Sequence, residues 1–302
     1  MSDNRMNIAV SVNAAFVMPL KVMLYSLAQN TDRELHIYLL YSALDASERK
    51  LIKDFVKERC HGTLHEIFID GKLFAKYHDT KFPWSMETYY RLLLPYILDP
   101  VIEKILWLDA DMIIRGNIDD FYDADMGQYY LCAAPDATCK DCANWLNLDK
   151  NQTYFNAGML TFNLPAIRKD ILQQQIFAFF EQHNDKLRFA DQDALNSLMG
   201  HNVLLFDERI YNNQEHLYKK IEDDVRVIHY VSNVKPWKVS YCGGKYAACC
   251  FWELAGQCGF KRSVFSLIGN AVARHLFPIY LKMKSGHLYA IYHKLRYGQY
   301  PY

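Results

Sequence analysis

The sequence has no Asp or Glu after Glu253, although it runs on to Tyr302. Lys261, Arg262, Arg274, Lys282, Lys284, Lys294 and Arg296 all fall in that acid-free stretch. The whole chain is nevertheless balanced, with 34 Lys and Arg against 34 Asp and Glu. That balance excludes a nucleic-acid binder acting through overall charge, and it leaves the body acidic. No run of about twenty apolar residues occurs, so no transmembrane helix is expected. The polar start, Met1 to Asn7, lacks the apolar core of a signal peptide. A cytoplasmic protein is therefore expected. Its eight cysteines are expected as reduced thiols rather than a disulfide framework. Cys139-x-x-Cys142 has the spacing of a zinc half-site or a redox pair. A second C-x-x-C is missing, and Cys242 to Cys258 lacks zinc-ribbon spacing. Neither G-x-G-x-x-G nor G-x-x-x-x-G-K-[ST] is present, which disfavours an ordinary dinucleotide fold and a P-loop ATPase.

What is present is an alternation of strand and helix patterns. Asn7 to Val12 reads as a strand, Ala14 to Met18 as a loop, and Pro19 as a first helical position. Leu35 to Tyr41 is a strand. Asp45 caps a helix to about Cys60, with Leu51, Ile52 and Phe55 on one face. Leu64 to Ile69 is a strand, and Ser85 caps a helix through Tyr96 that Pro100 ends. Further strands are expected over Ile105 to Leu108, Tyr130 to Pro135, Phe155 to Asn163, Val203 to Phe206 and Val225 to His229. Pro165 to His183 reads as one helix, and Asp191-Gln192-Asp193 precedes a short one. Such alternation points to an α/β fold, a parallel sheet with helices on both faces.

The centre of the chain is Ile105 to Leu108 followed by Asp109-Ala110-Asp111. Residues two apart on a strand share a face, so both carboxylates are expected side by side at a strand's carboxyl end. Ligands bind at that end of open α/β sheets. Two enclosed carboxylates repel each other, and a hard divalent cation removes the conflict. His229 ends a strand in the same way and is followed by Lys235-Pro236-Trp237. Gly158 allows close backbone approach.

Six motifs then occur in order: Val22 to Leu27 (V-M-L-Y-S-L), Tyr89 to Pro95 (Y-Y-R-L-L-L-P), Trp107 to Asp111 (W-L-D-A-D), Tyr154 to Gly158 (Y-F-N-A-G), Asp191 to Asn196 (D-Q-D-A-L-N) and His229 to Trp237. Through them, over about residues 7 to 253, the sequence resembles glycosyltransferase family 8. That family includes bacterial lipopolysaccharide galactosyl- and glucosyltransferases and, more distantly, glycogenin. The resemblance implies a GT-A fold, with a Rossmann-like mixed sheet flanked by helices. It also implies retaining hexosyl transfer from a UDP-sugar to a glycan or glycolipid acceptor. Mn2+, with Mg2+ as second choice, would be held by Asp109, Asp111 and His229. Ser11, Asn13, Phe16, Arg91, Ala110, Ser232 and Lys235 match donor-binding positions. Asn13 and Phe16 depart from the acidic residue and tyrosine of many members. Asp136, Asn156, Asp191 and Gln192 match the sugar and acceptor pocket. The resemblance thus makes residues 1–253 the catalytic domain. Residues 254–302 are a basic, aromatic tail, expected either to pack on the domain as a C-terminal helix or, the reading the missing acids favour, to lie on an anionic membrane surface. Two other readings use the same residues: a catalytically idle sugar-nucleotide scaffold, and a metal-dependent phosphoryl or nucleotidyl transferase.

Overall fold

The structure is a computed structural model. It describes residues 4–77, 85–139, 141–183, 186–215, 217, 221–231, 234–238, 241, 245–263, 269 and 271–272. The chain divides into two compact units, Met1–Tyr230 and Val231–Tyr302.

The first unit begins with strand β1 (Arg5–Ser11), a 3-10 turn (Ala14–Phe16) and helix α1 (Val17–Ala28). Pro19 thus sits inside the first helical turn rather than at its first position. It is tolerated there because the first N–H groups have no intrahelical partner. Strand β2 (Glu34–Tyr41), helix α2 (Ala46–Arg59) and strand β3 (Thr63–Phe68) follow. Asp45 and Glu48 form a reciprocal capping box at the start of α2. The buried face of α2 is Ile52, Phe55 and Val56, while Leu51 points outward. Ser85 makes no side-chain cap. The expected helix after it is a 3-10 run (Met86–Leu93) followed by one short α-helical turn (Leu94–Ile97).

Strands β4 (Lys104–Leu108), β5 (Met112–Ile114), β6 (Leu131–Pro135), β7 (Phe155–Asn163), β8 (Val203–Leu205), β9 (Asn213–Gln214) and β10 (Val227–His229) complete the set. The main sheet has seven strands in the order β3-β2-β1-β4-β7-β6-β8. It is mixed: β3, β2, β1 and β4 run parallel, whereas β7 pairs antiparallel with both β4 and β6. β5, β10 and β9 form a second, three-stranded sheet. The expected Pro165–His183 helix is two helices, Leu164–Asp170 and Gln173–His183, because Ile171 adopts an extended backbone between them.

Layers on both faces explain the apolar runs of β4 and β7. Ile105, Leu106, Trp107 and Leu108 are all buried, and Phe155 to Phe162 are buried without interruption. Each Ile, Leu, Met and Phe side chain among them contributes about 1.5–3 kcal/mol by leaving water. The β4–β7 ladder ends at Leu108 opposite Met159 and extends by one further bond, from Asp109 N–H to the Gly158 carbonyl at 2.8 Å. The core therefore fixes where Asp109 begins.

In the second unit the helix Lys245–Gln257 packs Phe251 against Trp237, with ring centres 4.9 Å apart. Trp252 Nε1 donates to the Pro236 carbonyl at 3.1 Å. Lys235 opens a turn whose carbonyl accepts from Lys238 N–H at 2.9 Å. Ser232 and, within the basic tail, residues 264–268, 270 and 273–302 lie outside the described residues. Among the described residues no helix is long and apolar enough to cross a membrane.

The cysteine expectation needs one correction. Cys139 and Cys142 form a disulfide, their Cα atoms 5.5 Å apart. The tight loop after β6 folds Cys139 N–H back onto the Asp136 carbonyl, which brings the pair within bonding reach.

Candidate metal centre and active site

Asp109, Ala110 and Asp111 do not lie on a strand. They form the short turn between β4 and β5, so strand alternation does not set how the two carboxylates converge. His229 comes from the end of β10, which pairs antiparallel with β5 so that His229 faces Met112. The Asp111 carbonyl accepts from Tyr230 N–H at 2.9 Å, which closes this turn onto β10. One ligand atom each from Asp109, Asp111 and His229 lies within 4.8 Å of the others. His229 Nε2 is 3.4 Å from Asp111 Oδ1. Its Nδ1 is 2.8 Å from Asn212 Oδ1.

Gly158 makes room for this cluster. A Cβ there would stand 2.4 Å from His229 Cε1 and 2.7 Å from Met112 Cε. Gly158→Ala is therefore expected to displace the imidazole and weaken binding of a divalent cation at this candidate site by about 10–100-fold, as loss of ligand orientation does. Titration followed by electron paramagnetic resonance of free Mn2+ checks this, and unchanged affinity contradicts it.

Arg91 is the buried counter-charge of the site. Its guanidinium lies 3.1 Å from Asp109 Oδ1 and 2.9 Å from Asp191 Oδ2. It also stacks over Trp107 at 4.6 Å and donates to the carbonyls of Thr88 and Ala157. Trp107 Nε1 donates to Asp109 Oδ1 at 2.9 Å. Burial pushes the Asp109 carboxyl above its ordinary range; Arg91 opposes this and Asp111 adds to it. Burial likewise raises Asp191 to about 6 despite Arg91.

A second cluster surrounds Asp136 at the end of β6. Its Oδ1 accepts from Thr138 N–H, the Thr138 hydroxyl and Gln214 Nε2, and its Oδ2 from Asn156 Nδ2 and Gln192 Nε2. Burial alone would raise this carboxyl, but the side-chain donors outweigh burial and hold it below its ordinary range. Gln192 Oε1 accepts from Ala157 N–H at 2.9 Å, and its Nε2 also donates to the Tyr154 hydroxyl at 3.2 Å. Tyr154 donates in turn to Asp193 at 2.6 Å. Ala157 thus joins the clusters, since its carbonyl receives Arg91 and its N–H reaches Gln192.

Ser11 ends β1 and Asn13 follows it; β1 runs parallel to β4, its Ala9 pairing with Trp107, so both stand at the same end of the sheet as Asp109. Ser11 Oγ donates to the Leu40 carbonyl at 2.8 Å. Asn13 Oδ1 caps Ala15 N–H at 3.1 Å, and its Nδ2 points to Glu87 Oε2 at 3.4 Å. Phe16 ends the 3-10 turn, partly exposed. The first unit therefore assembles Arg91, Asp109, Asp111, Asp136, Asn156, Asp191, Gln192 and His229. Trp107, Tyr154, Asp193, Asn212 and Gln214 were not singled out in the sequence as site residues. The W-L-D-A-D, Y-F-N-A-G and D-Q-D-A-L-N motifs held signals for the first three. Asn212 and Gln214 read only as loop polarity.

This arrangement can hold a divalent cation through two carboxylates and one imidazole. It also presents an amide cluster of fixed orientation beside it. Comparison with known proteins identifies the scaffold. The model of glycosyl transferase family 8 matches residues 7–240. The chain belongs to glycosyltransferase family 8.

As a family 8 protein it is 28% identical over 170 residues to a lipopolysaccharide 1,2-glucosyltransferase of Escherichia coli, covering 51% of this chain and 50% of the relative. It is 21% identical over 297 residues to the lipopolysaccharide 1,3-galactosyltransferase of Salmonella typhimurium, covering 91% of this chain and 86% of the relative. The chain thus spans half the length of the Escherichia coli relative. The galactosyltransferase LgtC, solved with donor and acceptor sugar analogs, superimposes with a TM-score of 0.74 at 24% identity. That match covers 83% of this chain and 96% of LgtC. It supports the GT-A fold.

Proposed function

We propose that this glycosyltransferase moves glucose or galactose from a UDP-sugar to a cell-surface glycan of lipopolysaccharide type, with retention of anomeric configuration and with Mn2+. The convergence of Asp109, Asp111 and His229 carries the reading. The names of the two lipopolysaccharide transferases above supply the acceptor class. A nitrogen ligand beside two carboxylates favours Mn2+ over Mg2+. When bound there, the metal would neutralise charge on the departing diphosphate.

The chain's own residues do the rest. Ser11, Asn13 and Phe16 would receive the uridine, Asn13 offering donor and acceptor atoms. By the family resemblance alone, Ser232 and Lys235 are assigned to the diphosphate, for which a compact ammonium is suited. Gln192 is a poor nucleophile, and its amide oxygen is already engaged by Ala157 N–H. Asp191 is committed to Arg91. These commitments favour same-face attack: the bond from the anomeric carbon to the diphosphate breaks, the bond to the acceptor oxygen forms, and the acceptor proton passes to the diphosphate. We take residues 1–253 as the catalytic domain and residues 254–302 as a basic aromatic attachment to an anionic membrane surface.

A panel of nucleotide sugars with Mn2+, with and without chelator, tests the function. Release of UDP from one UDP-hexose, with the transferred sugar keeping its anomeric configuration by NMR, is the expected result. Nucleotide-sugar binding without turnover by the folded protein would favour the catalytically idle scaffold, and no binding at all would contradict both readings.

A further inference from the structure

Residues 212–214 stand between the two clusters. Asn212 and Gln214 are two apart, and both are at most 2% exposed. Asn212 Nδ2 donates to the Pro135 carbonyl at 3.4 Å, and Gln214 Nε2 donates to Asp136 Oδ1 at 3.1 Å. Two amides on this short segment therefore hold two consecutive residues at the end of β6. β9 also runs parallel to β10, with Gln214 opposite His229. The segment touches the metal cluster on one side and the Asp136 cluster on the other.

The orientation of Asn212 follows from its partners. A peptide carbonyl only accepts, so the amide nitrogen faces Pro135 and Oδ1 faces His229. An amide oxygen also only accepts, so His229 carries its proton on Nδ1 and keeps the lone pair on Nε2. Nε2 is the atom that faces Asp111. Ligating histidines usually spend their other ring N–H on such a partner, which sets tautomer and ring plane.

We infer that Asn212 is a positioning residue for the metal centre. It selects the Nε2 lone pair of His229 and anchors that choice to Pro135, beside Asp136. The inference rests on the proposed reading of Asp109, Asp111 and His229 as metal ligands, and the test separates the two. The folded full-length protein is titrated with Mn2+ alone, and the dissociation constant is read from the resonance of the free ion. Four variants are compared with the wild type: Asp111→Ala, Asn212→Leu, Asn212→Asp and Gln214→Leu.

Asn212→Leu is expected to raise the dissociation constant by about 10–100-fold, the usual cost of losing a ligand-orienting group. Asn212→Asp keeps an oxygen acceptor for Nδ1 and is expected to recover most of the affinity. Gln214→Leu removes a buried amide bond from the same segment while leaving the Asn212 bond to His229 Nδ1 in place. It is expected to stay within about threefold of wild type, a change under 1 kcal/mol. Equal losses in Asn212→Leu and Gln214→Leu would assign the effect to loosening of the segment and overturn the inference. So would an Asn212→Asp protein as weak as Asn212→Leu, or an Asn212→Leu protein as tight as wild type. If the wild type binds no Mn2+, or Asp111→Ala binds it equally well, the ligand reading itself fails.

Discussion

Asp111→Ala is expected to lower transfer by about a thousandfold while leaving the fold intact. Metal charge stabilisation in a transition state is worth several kcal/mol, and each ~1.4 kcal/mol is a factor of ten in rate. Asp111 supplies one of three candidate ligands and sits on a turn, with its side chain partly exposed. The turn is held by backbone bonds that an alanine keeps: Tyr230 N–H to the Asp111 carbonyl, and Asp109 N–H to the Gly158 carbonyl. Removing one carboxylate also relieves the repulsion that helps raise the Asp109 carboxyl. The melting temperature should therefore stay level or rise slightly. Steady-state UDP release and thermal melting of the purified variant check both halves. A variant with near-wild-type turnover would contradict the ligand assignment.

Arg91→Met should do the opposite, losing stability as well as activity. Arg91 is 3% exposed and faces Asp109 and Asp191 together, while its stem and plane cover Trp107. Its removal leaves the buried Asp191 and the partly buried Asp109 without their cation. Breaking a buried pair in this way costs about 3–5 kcal/mol. For a chain of this size that corresponds to a fall in melting temperature of roughly 10 °C. Lysine should not restore it, because one ammonium cannot reach Asp109, Asp191 and two carbonyls at once.

The pH dependence has a defined sign. The folded Asp191 carboxyl, near 6, lies above its ordinary value of 3.8. The folded chain therefore binds more protons between these values, and this group's contribution falls as pH rises from about 4 to 6. Without Arg91 the carboxyl rises further, so the deficit of Arg91→Met should be smaller at pH 5 than at pH 8. Melting curves at both values decide this. An equal deficit at both would contradict the pairing.

The sheet was legible wherever burial produced unbroken apolar runs. β4 is such a run, and β7, though interrupted by Asn156, Gly158 and Thr161, matches its expected limits of Phe155 and Asn163. The reversed direction of β7 was not readable from alternation alone, because a strand buried on both faces looks the same in either direction. The Asp109–Asp111 pair was also visible, but for a geometric reason that proved wrong. Composition does not distinguish a strand end from a turn, and in either case two carboxylates follow Leu108. The break at Ile171 left no mark because the apolar spacing continues through it. Asn212 and Gln214 stayed hidden for another reason. Their roles depend on partners at Pro135, Asp136 and His229, which only the folded sheet brings close.

The central claim is that Asp109, Asp111 and His229 hold a metal that in turn holds the donor diphosphate. Calorimetric titration of UDP into the full-length protein, with Mn2+ and then with excess chelator, tests it most directly. The account predicts one UDP per chain with Mn2+, binding at least about tenfold weaker under chelator, and loss of that difference in Asp111→Ala. UDP binding of equal strength with and without Mn2+ would contradict it.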